Sequence, residues 1–116
     1  MNKFLVGLEN NMKEYSVRYL PIFREDLLEV IDYIRNTLQN EKAANDLIDD
    51  VEKAIVERSN NPESFEIYHS LREHKYPYYR IYVKNYVIYY VVIPGEPKIM
   101  EIRRFLYVGR NREFII

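Results

Sequence analysis

The sequence predicts an α+β fold in which a small antiparallel β-sheet is packed by an N-terminal antiparallel helical hairpin. Two observations lead to this prediction. Between positions 23 and 55, apolar side chains recur every three or four residues in two successive runs, the period of amphipathic helices. Between positions 78 and 107, three runs rich in Tyr, Val and Ile are joined by short polar connections, as in β-hairpins. With one strand ahead of the helices, the order places the helices on one face of the sheet and leaves the other face for function.

The first strand and the first helix lie at the start of this pattern. Side chains alternate from Tyr15 to Leu20, which predicts a strand that Pro21 ends. The first helix is predicted over residues 23–38, because an apolar stripe lies opposite a row of charged side chains. That stripe consists of Leu27, Leu28, Ile31, Ile34 and Leu38.

The remaining elements follow from the same rules. Asn40 is a suitable N-cap for the second helix, which ends before Pro62. The last three strands are predicted at Tyr78–Lys84, Tyr86–Ile93 and Lys98–Tyr107. The middle strand is apolar or aromatic on both faces, so we expect it inside the sheet and not at its edge.

Length and composition describe one globular domain. The chain has 116 residues, of which 47% are hydrophobic and 30% charged. We interpret residues 1–14 as an N-terminal leader, which we expect to be flexible, and residues 15–116 as a single domain; Met12 is an alternative translation start. Cys is absent, which excludes disulfides, thiolate zinc sites and a cysteine nucleophile. No apolar run suits a signal peptide or a membrane span, so we expect a soluble, cytoplasmic protein without a membrane partner.

Charge is unevenly distributed along the chain, although the formal net charge is only -1. Residues 1–66 contain 8 Lys and Arg against 14 Asp and Glu, whereas residues 67–116 contain 9 against 4. A basic C-terminal half indicates a surface that faces a polyanion or an acidic partner. The alternative is chance segregation over a solvated surface.

Six arginines are candidates for this basic surface, because the planar guanidinium fork matches phosphate and carboxylate geometry. They are Arg72, Arg80, Arg103, Arg104, Arg110 and Arg112. Strand alternation predicts that Arg104 shares a face with Met100 and Ile102. Arg80 and Arg104 could instead be structural, paired with Glu101 or with carboxylates of the helices.

Tyrosine and histidine offer further candidates. The 12 Tyr residues could stack on nucleic-acid bases, or alternate members could be core and cross-strand pairs. His69 and His74 lack a third ligand at metal spacing, so we predict neither a metal site nor a cofactor. Either histidine could act as a general base.

Three segments together resemble a known family. They are YSVRYLPIFREDLLEVIDYI at Tyr15–Ile34, YYRIYVKNYVIYYVVI at Tyr78–Ile93 and RRFLYVGRN at Arg103–Asn111. In this order and spacing they resemble the RelE/ParE superfamily toxins of type II toxin–antitoxin systems, also called plasmid stabilisation system toxins. The resemblance covers roughly residues 12–113. It implies a toxin that inhibits growth until a cognate antitoxin neutralises it.

The resemblance leaves the target open. RelE-like members cleave mRNA on the ribosome, whereas ParE-like members poison DNA gyrase, so either the ribosome with its mRNA or gyrase is an expected partner. Metal-free RNA cleavage requires a base, cations at the phosphate and an acid. By resemblance Arg80 and Arg110 match two cations of the cleaving members, and Tyr107 would have to act as the acid.

The cleaving set is nevertheless incomplete. Val87 stands where those members have a second cation, and residues 114–116 supply no terminal Tyr or His. This absence and the near-neutral charge favour ParE-like binding of gyrase or another large target. The alternatives are a RelE-like, metal-independent endoribonuclease and a non-toxic binding module with the same fold.

Overall fold

The computed structural model of the chain describes residues 15–70 and 72–110, and the predicted leader at residues 1–14 lies outside them. The described residues form five strands and two α-helices. In chain order these are β1 (Tyr15–Tyr19), α1 (Pro21–Asp32), α2 (Glu41–Arg58), β2 (Ile67–Tyr68), β3 (Tyr78–Val83), β4 (Tyr86–Ile93) and β5 (Lys98–Tyr107). Within the described residues no helix combines the length and apolarity needed to cross a membrane.

The α+β fold class is confirmed, and the sheet has the order β1-β5-β4-β3-β2. The pairs β3–β4 and β4–β5 are antiparallel, as predicted. The sheet as a whole is mixed and not purely antiparallel, because β1 pairs with β5 in parallel, with Tyr15 opposite Lys98 and Tyr19 opposite Ile102. The short β2, which the sequence did not predict, pairs with the start of β3.

The residues at the start of each helix explain where the helix begins. Pro21 occupies the first turn of α1, where its missing N–H needs no partner, so the helix starts two residues earlier than predicted. Residues Tyr33–Thr37 continue α1 as a π-helical turn. The predicted N-cap of α2 is confirmed, since the Asn40 side chain accepts a hydrogen bond from Ala43 N–H at 3.0 Å.

The main core lies between the helices and one face of the sheet, called here the helix side. Its largest fully buried side chains include Phe23, Leu47, Ile55, Ile88, Tyr90, Met100, Ile102 and Phe105. Part of the predicted stripe on α1 lies outside this core, because Leu28 is 65% and Leu38 55% exposed. The helical hairpin therefore buries a narrower face than the sequence pattern predicted.

The opposite face of the sheet, called here the outer face, has a second apolar cluster. It consists of Tyr78, Val87, Tyr89, Val91 and Leu106, with Tyr68, Tyr76 and Ile93 packed against it. Every residue of β4 from Val87 to Val92 is buried, which confirms the predicted interior position of this strand.

Candidate functional site

Arg80 is a cation of the outer face, where it lies opposite Tyr89. Its guanidinium carbon lies 4.7 Å from the ring centroid of Tyr68 and 5.7 Å from that of Tyr82. The ring of Tyr82 is 57% exposed. Within the described residues no carboxylate forms an ion pair with Arg80, so its charge is available to a partner. Two tyrosine rings hold the cation in a preferred position.

Arg103 belongs to a second cationic group on the same face. Glu101 is only 4% exposed and accepts hydrogen bonds from Nε of Arg103 and from Nε of Arg18, each at 2.8 Å. A second bond from the Arg18 guanidinium reaches the same carboxylate. Two arginines around one buried carboxylate leave a net positive charge. Burial of Glu101 is tolerated because both of its oxygens are paired.

Aromatic rings connect the two cationic groups. The His74 ring stacks on Tyr78 with centroids 4.5 Å apart, and the rings of Tyr78 and Tyr68 both contact Tyr89. Nε2 of His74 is buried without a hydrogen-bond partner among the described residues. We use the name outer-face cluster for the side chains Tyr68, His74, Tyr78, Arg80, Tyr82 and Arg103.

The tyrosine-rich segment divides between the two faces. Tyr79, Tyr86 and Tyr90 pack on the helix side, while Tyr78 and Tyr89 belong to the outer face. Alternate members are therefore core residues, as one of the two interpretations predicted. Tyr82 remains exposed enough for stacking.

Arg104 has a structural position that the sequence assigned incorrectly. A bulge in β5 places Arg104 opposite Tyr89, whereas Ile102 lies opposite Tyr90, so strand alternation is broken between them. The guanidinium forms a bidentate pair with Asp26 of α1, with Nε–Oδ2 at 2.7 Å and Nη2–Oδ1 at 2.9 Å. The paired side chains are only 16% and 10% exposed. The alternative interpretation, an arginine paired with a helix carboxylate, is the one the geometry supports.

Asp26 has a second role at the edge of the sheet. Beyond Ile102 the chain leaves β1 for α1, so the following part of β5 has no paired strand on that side. Asp26 Oδ2 accepts the N–H of Phe105 there at 3.0 Å. One carboxylate therefore fixes α1, the exposed edge of β5 and Arg104 together.

Tyr107 and Arg110 lie away from Arg80. In the β4–β5 ladder Tyr107 is opposite Tyr86, which packs on the helix side, whereas Arg80 is opposite the outer-face residue Tyr89. Arg110 follows in the turn and donates its N–H to the carbonyl oxygen of Tyr107 at 3.0 Å. The structure thus does not bring the three candidate catalytic residues to one site.

Tyr107 and Arg110 instead line a groove of about 560 Å³ between α1 and the end of β5. We call it the α1–β5 groove; its polar and aromatic lining includes Asp26, Glu29, Asp32, Tyr33, Tyr86, Tyr107 and Arg110. Burial, with the nearby Tyr107 and Tyr33, raises the pKa of the Tyr86 hydroxyl above its usual value. Three tyrosines therefore lie close together in this groove.

The remaining candidate residues are Arg72, Arg112 and His69. Arg72 is exposed, and its backbone N–H donates to Oγ of Ser70 at 3.2 Å. Arg112 lies outside the described residues. His69 is exposed. Among residues 15–70 and 72–110, no group of three His, Asp or Glu side chains could hold a metal ion.

Comparison with known proteins gives one family match. The family model described as "ParE toxin of type II toxin-antitoxin system, parDE" matches residues 17–112. No curated protein sequence matches the chain. The matched range contains both the outer-face cluster and the α1–β5 groove.

Proposed function

The chain belongs to the ParE toxin family of type II toxin–antitoxin systems, and from this premise we propose that its outer face binds the target through which it arrests growth. Members of the family are the toxin half of such systems, so a cognate antitoxin is a partner of this chain. We propose DNA gyrase or another large macromolecule as the target. The toxin acts in this proposal by binding and not by cleaving its target.

The separation of the candidate catalytic residues supports a binding mechanism. RNA cleavage requires its cation, base and acid within hydrogen-bond reach of one phosphate. Arg80 lies on the outer face, whereas Tyr107 and Arg110 line a groove on the helix side. A phosphate held by Arg80 is therefore out of reach of the Tyr107 hydroxyl.

The proposal rests on the assembly of the half-buried Arg80 and Tyr68 with the exposed Tyr82. Arginine and tyrosine are enriched among the residues that dominate binding energy in protein interfaces. Both rings restrict the guanidinium before a partner arrives, so less conformational entropy is lost on binding. Arg18 and Arg103 around the single carboxylate of Glu101 add a net positive charge that steers an acidic surface toward the same face.

A RelE-like endoribonuclease is the second candidate, and one observation favours it. The outer-face cluster places the imidazole of His74 and the hydroxyl of Tyr78 on the same face as two arginines. These are the residue types that metal-free RNA cleavage uses. In this alternative His74, and not Tyr107, supplies proton transfer.

Growth arrest by single variants tests the proposed surface. We expect Arg80→Ala to weaken target binding by about 30-fold, corresponding to an interface residue worth about 2 kcal/mol. Growth arrest on induction should then be lost. Lys53→Ala removes an exposed cation from α2 and should arrest growth like the unchanged chain. Circular dichroism checks that both variants are folded, and undiminished arrest by folded Arg80→Ala would contradict the proposal.

A further inference from the structure

The α1–β5 groove has two walls of different character. One wall is the side of α1 and its π-helical extension, which present Glu29, Asp32 and Tyr33. The other wall is the end of β5 with the neighbouring ring of Tyr86. Tyr107, on this second wall, is 56% exposed and Tyr33 is 54% exposed. Two large aromatic side chains therefore flank an open groove with much of their surface uncovered.

The charge of the groove is concentrated on the helix wall. Glu29 and Asp32 are exposed, and neither forms an ion pair within the described residues; Asp32 accepts only the side-chain amide of Asn36, at 2.5 Å. Asp26 is already neutralised by Arg104. Arg110 adds one positive charge to the lining. Two carboxylates that form no ion pair within the described residues thus face a groove whose lining contains one cation.

The aromatic wall is held in place by packing. The Tyr86 ring stacks on Phe105 at 4.9 Å and meets the ring of Tyr107 edge to face at 6.0 Å. A Cβ atom at Gly109 would lie 2.8 Å from the Tyr107 ring, so a side chain at this position of the turn would displace the ring. Tyr107 is therefore positioned by its neighbours before any ligand binds.

Carboxylates beside tyrosine rings are the combination that binds guanidinium and ammonium groups. The carboxylates accept charge-assisted hydrogen bonds, and the rings attract the cation through their faces. The partly exposed side chain of Val30 in the lining suits an aliphatic side chain next to that cation. About 560 Å³ accommodates a few side chains of a peptide segment, not a folded domain.

We infer that the α1–β5 groove is a docking site for a segment of the antitoxin that carries an arginine or lysine beside an apolar side chain. The inference rests on the proposed toxin function, which supplies the antitoxin as the partner. Its consequence is that neutralisation and target binding use separate surfaces, because the outer-face cluster lies on the other side of the sheet. A substitution in the groove can therefore abolish neutralisation while toxicity remains.

Peptide binding to the full chain tests the chemistry of the groove. The probe is the acetylated, amidated peptide Leu-Arg-Phe-Arg-Leu, and its control replaces both arginines by citrulline, which is nearly isosteric but uncharged. In the isotope-labelled protein, the arginine peptide should shift the backbone amide signals of Tyr33, Tyr86 and Tyr107. Binding of the citrulline peptide should be weaker by about tenfold. Equal binding of both peptides, or shifts that map to the outer face, would overturn the inference.

Matched variants distinguish peptide binding in the groove from a general effect of the protein's charge. Glu29→Gln with Asp32→Asn removes both groove charges without changing side-chain size, whereas Glu25→Gln with Glu57→Gln removes two exposed charges elsewhere on the helices. We expect the groove variant to lose about tenfold in affinity for the arginine peptide and the control variant to lose none. Equal losses would contradict a specific site.

Neutralisation in cells tests the partner. The groove variant expressed alone should arrest growth like the unchanged chain, and co-expression of the antitoxin encoded beside the toxin gene should no longer relieve the arrest. Relief equal to that of the unchanged chain would refute docking in the groove. Failure of the unchanged chain to arrest growth would instead contradict the proposed function, while the peptide result would still stand.

Discussion

We expect Asp26→Ala to cause a large loss in the free energy of unfolding, although Asp26 is a polar residue. The Asp26 carboxylate accepts both arms of the Arg104 guanidinium and the backbone N–H of Phe105. Alanine leaves a cation that is 16% exposed without its partner and a strand-edge N–H without its acceptor. Both groups lose hydrogen bonds that water can only partly replace.

The magnitude follows from these contacts. Breaking a buried, hydrogen-bonded ion pair by removing one partner costs about 3–5 kcal/mol. Residual exposure of the pair favours the lower part of this range, so we expect a loss of about 3–4 kcal/mol in the free energy of unfolding. Asp26→Asn retains acceptor capacity but loses the charge, and should cost about half as much.

Urea denaturation followed by circular dichroism measures these losses. Glu25→Ala is the matched control, because Glu25 is an exposed neighbour on the same helix and should change stability by about 0.5 kcal/mol or less. Arg104→Leu in the Asp26→Ala background should recover part of the loss by removing the unpaired cation. A cost below about 1 kcal/mol for Asp26→Ala would refute the reasoning, since it would mean that water solvates both groups freely.

Three further predictions concern the core and pH. Tyr90→Phe removes the hydroxyl that donates to the carbonyl of Pro62 at 2.6 Å and accepts from Arg58 at 2.9 Å; urea denaturation should show a loss of about 1–3 kcal/mol, and an unchanged midpoint would contradict it. Burial raises the pKa of Tyr90 to about 12, above the value of about 10 in an unfolded chain. The stability that this group contributes is thus present below a pH of about 10 and falls as the pH rises toward the folded pKa. Urea midpoints should therefore decrease in this pH range, and the absorbance of the Tyr90 tyrosinate should appear at a higher pH than in the unfolded chain. Midpoints that do not depend on pH would contradict this prediction. Leu47→Ala should cost about 2–5 kcal/mol because Leu47 is 2% exposed, whereas Leu28→Ala should change the melting temperature little, and equal effects would refute the burial pattern.

The sequence predicted the helices and the longer strands well, because the hydrophobic pattern of a helix repeats about every 3.6 residues and that of a strand about every two. Spacings of three and four marked both helices, and the Asn40 cap marked the start of α2. The parallel pairing of β1 with β5 was not predictable in the same way, because it depends on how the chain crosses between distant segments and not on a local period. The two residues of β2 are too few to show any alternation.

The positions of the site residues were less predictable, because they also depend on contacts between distant segments of the chain. Asp26 belongs to the row of charged side chains opposite the apolar stripe of α1, so the pattern predicted a solvated position for it. One-dimensional spacing cannot reveal that this face passes the uncovered edge of β5. Arg104 was assigned by strict alternation, which the bulge in β5 interrupts. By contrast, the twofold period of β3 is enough to place Arg80 on one face with Tyr82.

The most direct test of the central claim is induction of the full chain in a bacterial host, with plasmid supercoiling and mRNA 5′ ends measured in the same cultures. We predict growth arrest with altered supercoiling and intact mRNA, and the loss of both arrest and altered supercoiling in Arg80→Ala. Arrest accompanied by new mRNA ends would contradict the binding mechanism and establish the endoribonuclease instead. Normal growth with a folded product would contradict toxicity itself and leave a non-toxic binding module.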